Sequence, residues 1–158
     1  MKYSITIMRL VKCKQHIPYL ARLRHEQLAK LWMPQATLEQ AHEKLRTHAT
    51  SEGLPVTFVA LYHHEPVGMI SLRHNDGIQP ERMPWLGGLV VDPNYRQQKI
   101  GEQLIDFVKQ EARVLGHQTL YLLAFDPTIP DWYATLGWTT IGHDQLLDHP
   151  VTVMEIAL

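Results

Sequence analysis

The 158-residue chain is short of several things, and each shortage removes a class of function. It has one cysteine, Cys13, so no internal disulfide framework is available, and the chain suits a reducing compartment. It has no excess charge: fifteen Lys and Arg against sixteen Asp and Glu leave a formal −1, which gives no general attraction to nucleic acid. Any anion must be bound locally. It has no apolar run long enough for a membrane span, and MKYSITIMRLVKCK has no long apolar stretch after its lysine. The expected location is cytoplasmic. It also lacks repeats, low-complexity tracts and linker-like segments, so one domain over 1–158 is expected.

What is present is ordinary globular material, 45% apolar and 20% charged. YSITIMR, from Tyr3 to Arg9, alternates polar with apolar as a half-buried strand does. Ile17, Leu20, Leu28 and Leu31 recur at helical spacing between His16 and Trp32, before Pro34. Thr37 and Gln40 have capping-box spacing, with Leu38, Ala41 and Leu45 on one face of a second helix. LPVTFVALYHH and EPVGMISLRHN predict two antiparallel strands turning around His64, Glu65 and Pro66.

WLGGLVV (Trp85 to Val91) is too short for a helix and predicts a buried strand. Ile100, Leu104, Ile105, Val108, Ala112 and Leu115 then trace a helix face ending at Gly116, and TLYLLAF (Thr119 to Phe125) predicts a second buried strand. Strand, helix and strand at this spacing form a βαβ unit, so the two strands should be parallel neighbours. A short helix in PDWYATLG and a strand pair, WTTIGH with VTVMEIAL, complete the chain.

Three features carry chemistry. The first is RQQKIG, Arg96 to Gly101, at the start of a helix whose unpaired N–H groups favour an anion. Arg96 and Lys99 add positive charge, Gln97 and Gln98 add amides, and Gly101 allows close approach; a solvated loop is the other explanation. The second is Gly87-Gly88 inside a strand, which fits either a bulge that splays the strand from its neighbour or tight packing. The third is Tyr133, ahead of the helix-ending Gly137, which fits a core aromatic or an acid facing a cleft.

PNYRQQKIGEQL, LYLLAFD and WYATLGW together resemble the GNAT superfamily of N-acetyltransferases, and the order of elements agrees along the whole chain. The resemblance implies an α/β (α+β) fold with a mixed, mostly antiparallel sheet of six to seven strands. Its central parallel pair, 85–91 and 119–125, would be splayed to form the acetyl-CoA cleft, with helices on both faces. It implies acetyl-CoA as cosubstrate, pantetheine beside Leu89, Val90 and Val91, and pyrophosphate on Arg96, Gln97, Gln98, Lys99, Ile100, Gly101 and Glu102. It implies Tyr133 as the acid that protonates the departing thiolate, and direct attack by a bound primary amine of a small molecule or protein. Cys13 is outside these motifs.

One position departs from the family pattern: Lys99 stands where its first motif glycine belongs. If that position needs positive φ, lysine costs on the order of 1 kcal/mol, which an ammonium contact to phosphate would offset. No carboxylate lies on the strand Trp85 to Val91; His74, Asp76 and Glu81 are the nearest candidates for a base, and each also fits an ordinary loop residue.

The acceptor pocket would be built from Ile17 to Leu45 and the closing strand pair, with Trp32, Trp85 and His25 as candidate linings. Neither His63-His64 nor His42 with His48 has ligand geometry, so no metal is expected. Two alternatives remain on the same fold: a catalytically silent acyl-CoA-binding or interaction module, and a tRNA-acetylating toxin, which the near-neutral charge disfavours. A homodimer is an assembly the resemblance allows.

Overall fold

The computed structural model describes residues 4–158, so Tyr3 of the first expected strand lies outside the described residues. Seven strands form one sheet: β1 (Thr6–Arg9), β2 (Val56–Tyr62), β3 (Glu65–Arg73), β4 (Trp85–Val91), β5 (Thr119–Ala124), β6 (Thr139–Leu146) and β7 (His149–Ala157). Their order is β1-β2-β3-β4-β5-β7-β6, and every pair is antiparallel except β4 with β5. This is the expected mixed sheet with its central parallel pair.

Helices cover both faces. On one side α4 (Ile100–Val114) and α5 (Ile129–Thr135) pack over Phe58, Ile70, Leu72, Leu86, Leu120 and Leu122. On the other, α1 (Ile17–Arg24) and α3 (Leu38–Thr47) pack over Val59, Leu61, Met69 and Val90. Each fully buried aliphatic side chain, such as Leu104 or Leu20, contributes about 1.5–3 kcal/mol of transfer free energy.

The long helix expected from His16 to Trp32 is not continuous. Pro18 opens α1 in its first turn, but His25–Ala29 forms a π turn before the last helical turn, α2 (Lys30–Trp32). The π turn inserts a residue and rotates the apolar face, which leaves Leu31 58% exposed instead of buried. The β2–β3 turn also falls earlier than expected, at His63 and His64, whose φ values of 50° and 68° are those of a two-residue hairpin; Glu65 and Pro66 belong to β3. At the end of α4, Leu115 is the cap residue and 44% exposed, because Gly116 (φ 91°) turns the chain away.

The capping box at α3 forms as its spacing predicts. The Gln40 N–H donates to Thr37 Oγ1 at 3.1 Å, and the Thr37 N–H donates to Gln40 Oε1 at 2.9 Å. No helix among the described residues is long and apolar enough to cross a membrane.

Candidate active site

Glycine opens the sheet. Between β3 and β4 the register runs Met69 with Val90 and then Ser71 with Gly87, so β4 carries one extra residue and bulges at Gly87-Gly88-Leu89. Gly88 has φ +59°, a conformation that side chains rarely adopt. The bulge turns β4 away from β5: their single paired position is Trp85 with Tyr121, next to a Tyr121 N–H to Pro84 carbonyl bond of 3.1 Å. Beyond that point the strands part.

A cavity of about 680 Å³ fills the gap, within the usual range for small-ligand sites. Leu86 to Leu89 of β4 and Leu122 to Ala124 of β5 form its sides. Tyr133 and Trp132 bound it from the α4/α5 face, while Arg24, Leu28, Trp32, Lys44 and His48 bound it from the α1/α3 face. The cavity therefore passes between the strands from one face of the sheet to the other.

The loop ahead of α4 has an unusual backbone. Gln97 and Lys99 both adopt left-handed backbone, at φ 64° and 62°. Lys99 is the residue before the helix and makes no side-chain cap bond. The Gln103 N–H is bonded to the Lys99 carbonyl at 3.1 Å, so the N–H groups of the residues before it lack an intrahelical acceptor. Free N–H groups at an uncapped helix N-terminus are donors available to an anion. Gly101 keeps the approach open: a Cβ there would lie 3.6 Å from the Trp132 ring and 3.9 Å from Val91 Cγ2.

Other residues around the loop have narrower parts. Arg96 turns back, its Nη2 donating to Gln27 Oε1 at 3.0 Å and its Nε to the Val91 carbonyl at 3.3 Å, which ties the loop to the π turn. Lys99 Nζ is 3.9 Å from Glu102 Oε2, both partly exposed, a pairing of little energetic weight. Val90 and Ile100 are buried in the two cores, so only their backbone can meet a ligand; Leu89 lines the cavity.

Tyr133 is 6% exposed and its hydroxyl has no hydrogen-bond partner among the described residues. The rings of Trp132 and Trp138 stand 4.9 and 5.6 Å from it. Burial holds its phenol proton well above the ordinary range, so the group stays neutral at any working pH. Gly137, at φ 96°, ends the segment and lets Trp138 enter the core behind it.

The strongest polar feature is one that residue patterns did not single out. Arg24, Lys44, His48 and Arg73 converge on the α1/α3 side of the cavity. Arg73 Nη1 pairs with Asp76 Oδ1 at 2.6 Å, with both side chains nearly buried. Arg24 is 9% exposed and has no hydrogen bond or ion pair among the described residues. Desolvation, then the charge of Arg73, lowers Arg24 to about 10; the same causes, with Arg24 added, lower the partly exposed Lys44 to about 8. Desolvation and these three cations push the His48 imidazole down to about 3.

A signal for them exists in hindsight. Arg24 sits four residues after Leu20 on the buried stripe of α1, and His48 three after Leu45 at the end of α3. A charged or polar residue that interrupts an apolar stripe marks a site as often as a surface.

The remaining candidates sort by position. Asp76 lines the cavity but is held by Arg73; His74 lines it freely, and Glu81 is not among the lining residues. Trp32 lines it, stacked on Phe125 at 6.0 Å, whereas Trp85 is fully buried with its indole N–H on the Arg82 carbonyl, and His25 does not line it. Cys13 is buried among α1 and α3 residues away from the cavity.

A family model described as the Acetyltransferase (GNAT) family matches residues 18–138. Among solved structures, a ribosomal-protein-alanine N-acetyltransferase from Brucella melitensis superposes with TM-score 0.75 at 19% identity, covering 97% of this chain and 99% of its own. An acetyltransferase from Streptococcus agalactiae reaches 0.75 at 18% identity, covering 98% of both chains. An aminoglycoside 6'-N-acetyltransferase complexed with coenzyme A reaches 0.71 at 19% identity, covering 96% of both. No curated protein matches the chain.

Proposed function

Because the chain belongs to the acetyltransferase (GNAT) family, we propose that it is an N-acetyltransferase, moving an acetyl group from acetyl-CoA to a primary amine held in the cleft between β4 and β5. One observation carries this reading. A bulged strand opens the sheet beside an uncapped helix N-terminus, and the buried, unpartnered hydroxyl of Tyr133 faces the space between them.

The residues present fit the cosubstrate. The loop Arg96 to Gly101 would hold its pyrophosphate through backbone N–H groups of Lys99 to Glu102 and the Lys99 ammonium. The unpaired edge of Leu89 to Val91 would hold the amides of its arm as an added strand does. Acetyl-CoA supplies the acetyl group as a thioester: the amine nitrogen bonds to the carbonyl carbon as the carbon–sulfur bond breaks.

The protein's own contribution is to place donors. A backbone N–H of Leu89 to Val91, next to the bulge, would donate to the oxygen that gains negative charge. Tyr133 would hold a proton at Oη, and burial keeps it there for the thiolate sulfur that develops as the carbon–sulfur bond breaks. The proton released by the amine goes to water, since β4 carries no carboxylate.

Acceptors differ widely among the structural neighbours, an aminoglycoside in one and a ribosomal-protein alanine in another, so the acceptor here has to come from this cavity. A cytoplasmic site of action agrees with the single, buried thiol.

Calorimetric titration with acetyl-CoA, and separately with a pantetheine fragment lacking the pyrophosphate, tests this. Affinity that falls sharply for the fragment is expected. No binding of acetyl-CoA at millimolar concentration would end the enzyme reading and leave an interaction role on this fold.

A further inference from the structure

Among the described residues the positive charge on the α1/α3 side of the cavity is only partly balanced. Arg24, Arg73 and Lys44 face it, and Asp76, paired with Arg73, is the carboxylate beside them. The other acid in the cavity wall, Asp126, lies at the end of β5 and accepts from the N–H and hydroxyl of Thr128 at 2.9 and 2.7 Å.

Arg24 is the decisive residue. The residue is nine-tenths buried, it lines the cavity with its Nε 3.9 Å from where a Cβ on Gly88 would stand, and it has no hydrogen-bond acceptor among the described residues. Two more donors or acceptors beside it are also unsatisfied, Nε of Arg73 and Nδ1 of His48. A buried cation left unpaired is costly, and native proteins keep such groups where a ligand completes them.

We propose that the acceptor is a small primary amine that also carries an anionic group, carboxylate or phosphate, which seats on Arg24 and Arg73 with Lys44 at the rim. This rests on the acetyltransferase reading of the cleft. Arginine suits the task, because its planar fork matches the oxygens of either anion in two parallel bonds.

The rest of the cavity agrees. Leu28, Trp32 and Phe125 form an apolar wall for the body of the molecule, and the volume of about 680 Å³ is that of a small-molecule site. Polycationic amines, which bring charge of the wrong sign, are excluded.

Calorimetry on the intact protein separates these statements. The probes are N-acetyl amino acids from glycine to phenylalanine, each with its uncharged amide, N-acetylated aminoalkylphosphonates of matching length, and spermidine. At least one acid or phosphonate should bind about tenfold or more tighter than its amide, a difference of about 1.4 kcal/mol. The tighter of the two series names the anion. In Arg24→Gln that preference should vanish while acetyl-CoA affinity stays, which also certifies the fold; Lys44→Gln should weaken it less.

Turnover of the matching free amines, followed by thiol release from acetyl-CoA, should show the same order. Amides binding as well as acids throughout, or spermidine binding tighter than both, would overturn the proposal. Anion binding that needs Arg24, but with no thiol release from any amine, would keep the anion site and remove the transferase reading instead.

Discussion

A Cβ placed on Gly87 would stand 2.5 Å from Nη1 and 3.1 Å from Cζ of Arg73, so the bulge of β4 and the guanidinium that ends β3 share one space. That guanidinium is held by Asp76 at 2.6 Å and cannot simply swing aside. Gly87→Ala should therefore cost about 1–3 kcal/mol through overpacking, with a Tm fall of about 2–4 °C per kcal/mol. Acetyl transfer should fall with it, because the strand edge and the cationic pocket move together. Unchanged Tm and kcat/KM would show that the bulge tolerates a side chain.

Tyr133→Phe removes only a hydroxyl that has no partner, so the fold and the acetyl-CoA affinity should be preserved. If the phenol protonates the leaving thiolate, kcat should fall by about 100-fold or more. Stopped-flow thiol release at saturating acetyl-CoA measures this. Turnover at the native rate would take Tyr133 out of that role.

Lys99 adopts φ 62°, where an L side chain is strained and glycine is not. Lys99→Gly should raise stability by on the order of 1 kcal/mol. It should also weaken acetyl-CoA binding and flatten its dependence on salt, since one cation near the pyrophosphate is lost. Equal affinity and equal salt dependence in the variant would mean that the lysine contributes charge to nothing.

His48 couples the cationic pocket to acid stability. Its ordinary pKa is 6.5 and its folded one about 3, lowered by desolvation and by Arg73, Lys44 and Arg24 facing it, while Asp76 is the nearby acid. A base whose folded pKa is lowered is protonated first in the unfolded chain. Stability is therefore lost as pH falls from 6.5 toward 3, by about 2 kcal/mol at pH 5. His48→Gln should lose less Tm than the native protein between pH 7.5 and pH 5; identical losses would contradict a buried neutral imidazole.

Much of the site can be read in the chain where the physics is local. Gly87-Gly88 inside an apolar run marks either a bulge or tight packing, because a strand interior gains nothing from missing side chains, and the structure has both, a bulge in β4 and Arg73 against Gly87. Thr37 and Gln40 close their capping box for the same kind of reason, two side chains reaching neighbouring N–H groups. Lys99 at a left-handed position could be anticipated only through the family pattern, since a lysine by itself signals no such backbone.

The π turn at His25–Ala29 was hidden, because Leu28 and Leu31 fit a regular helix as written; what decides it is packing. Leu28, Ala29 and Trp32 come to line the cavity only after the inserted residue rotates the helix. The turn at His63 and His64 was misjudged by placing Pro66 in it, when histidine tolerates positive φ and Pro66 pairs with Leu61 across the hairpin.

By itself the sequence determined the order of strands and helices, the parallel pair at the centre, and the loop that starts α4, since each depends on periodicity, caps and glycines within a few residues. Only the tertiary structure brought Arg24 of α1, Lys44 of α3, His48 just after it and Arg73 of β3 to one wall. Arg24 and His48 each interrupt an apolar stripe in the sequence, but nothing in the sequence says that these residues meet. Their charges matter because folding removes them from water together and leaves Arg24 without a partner.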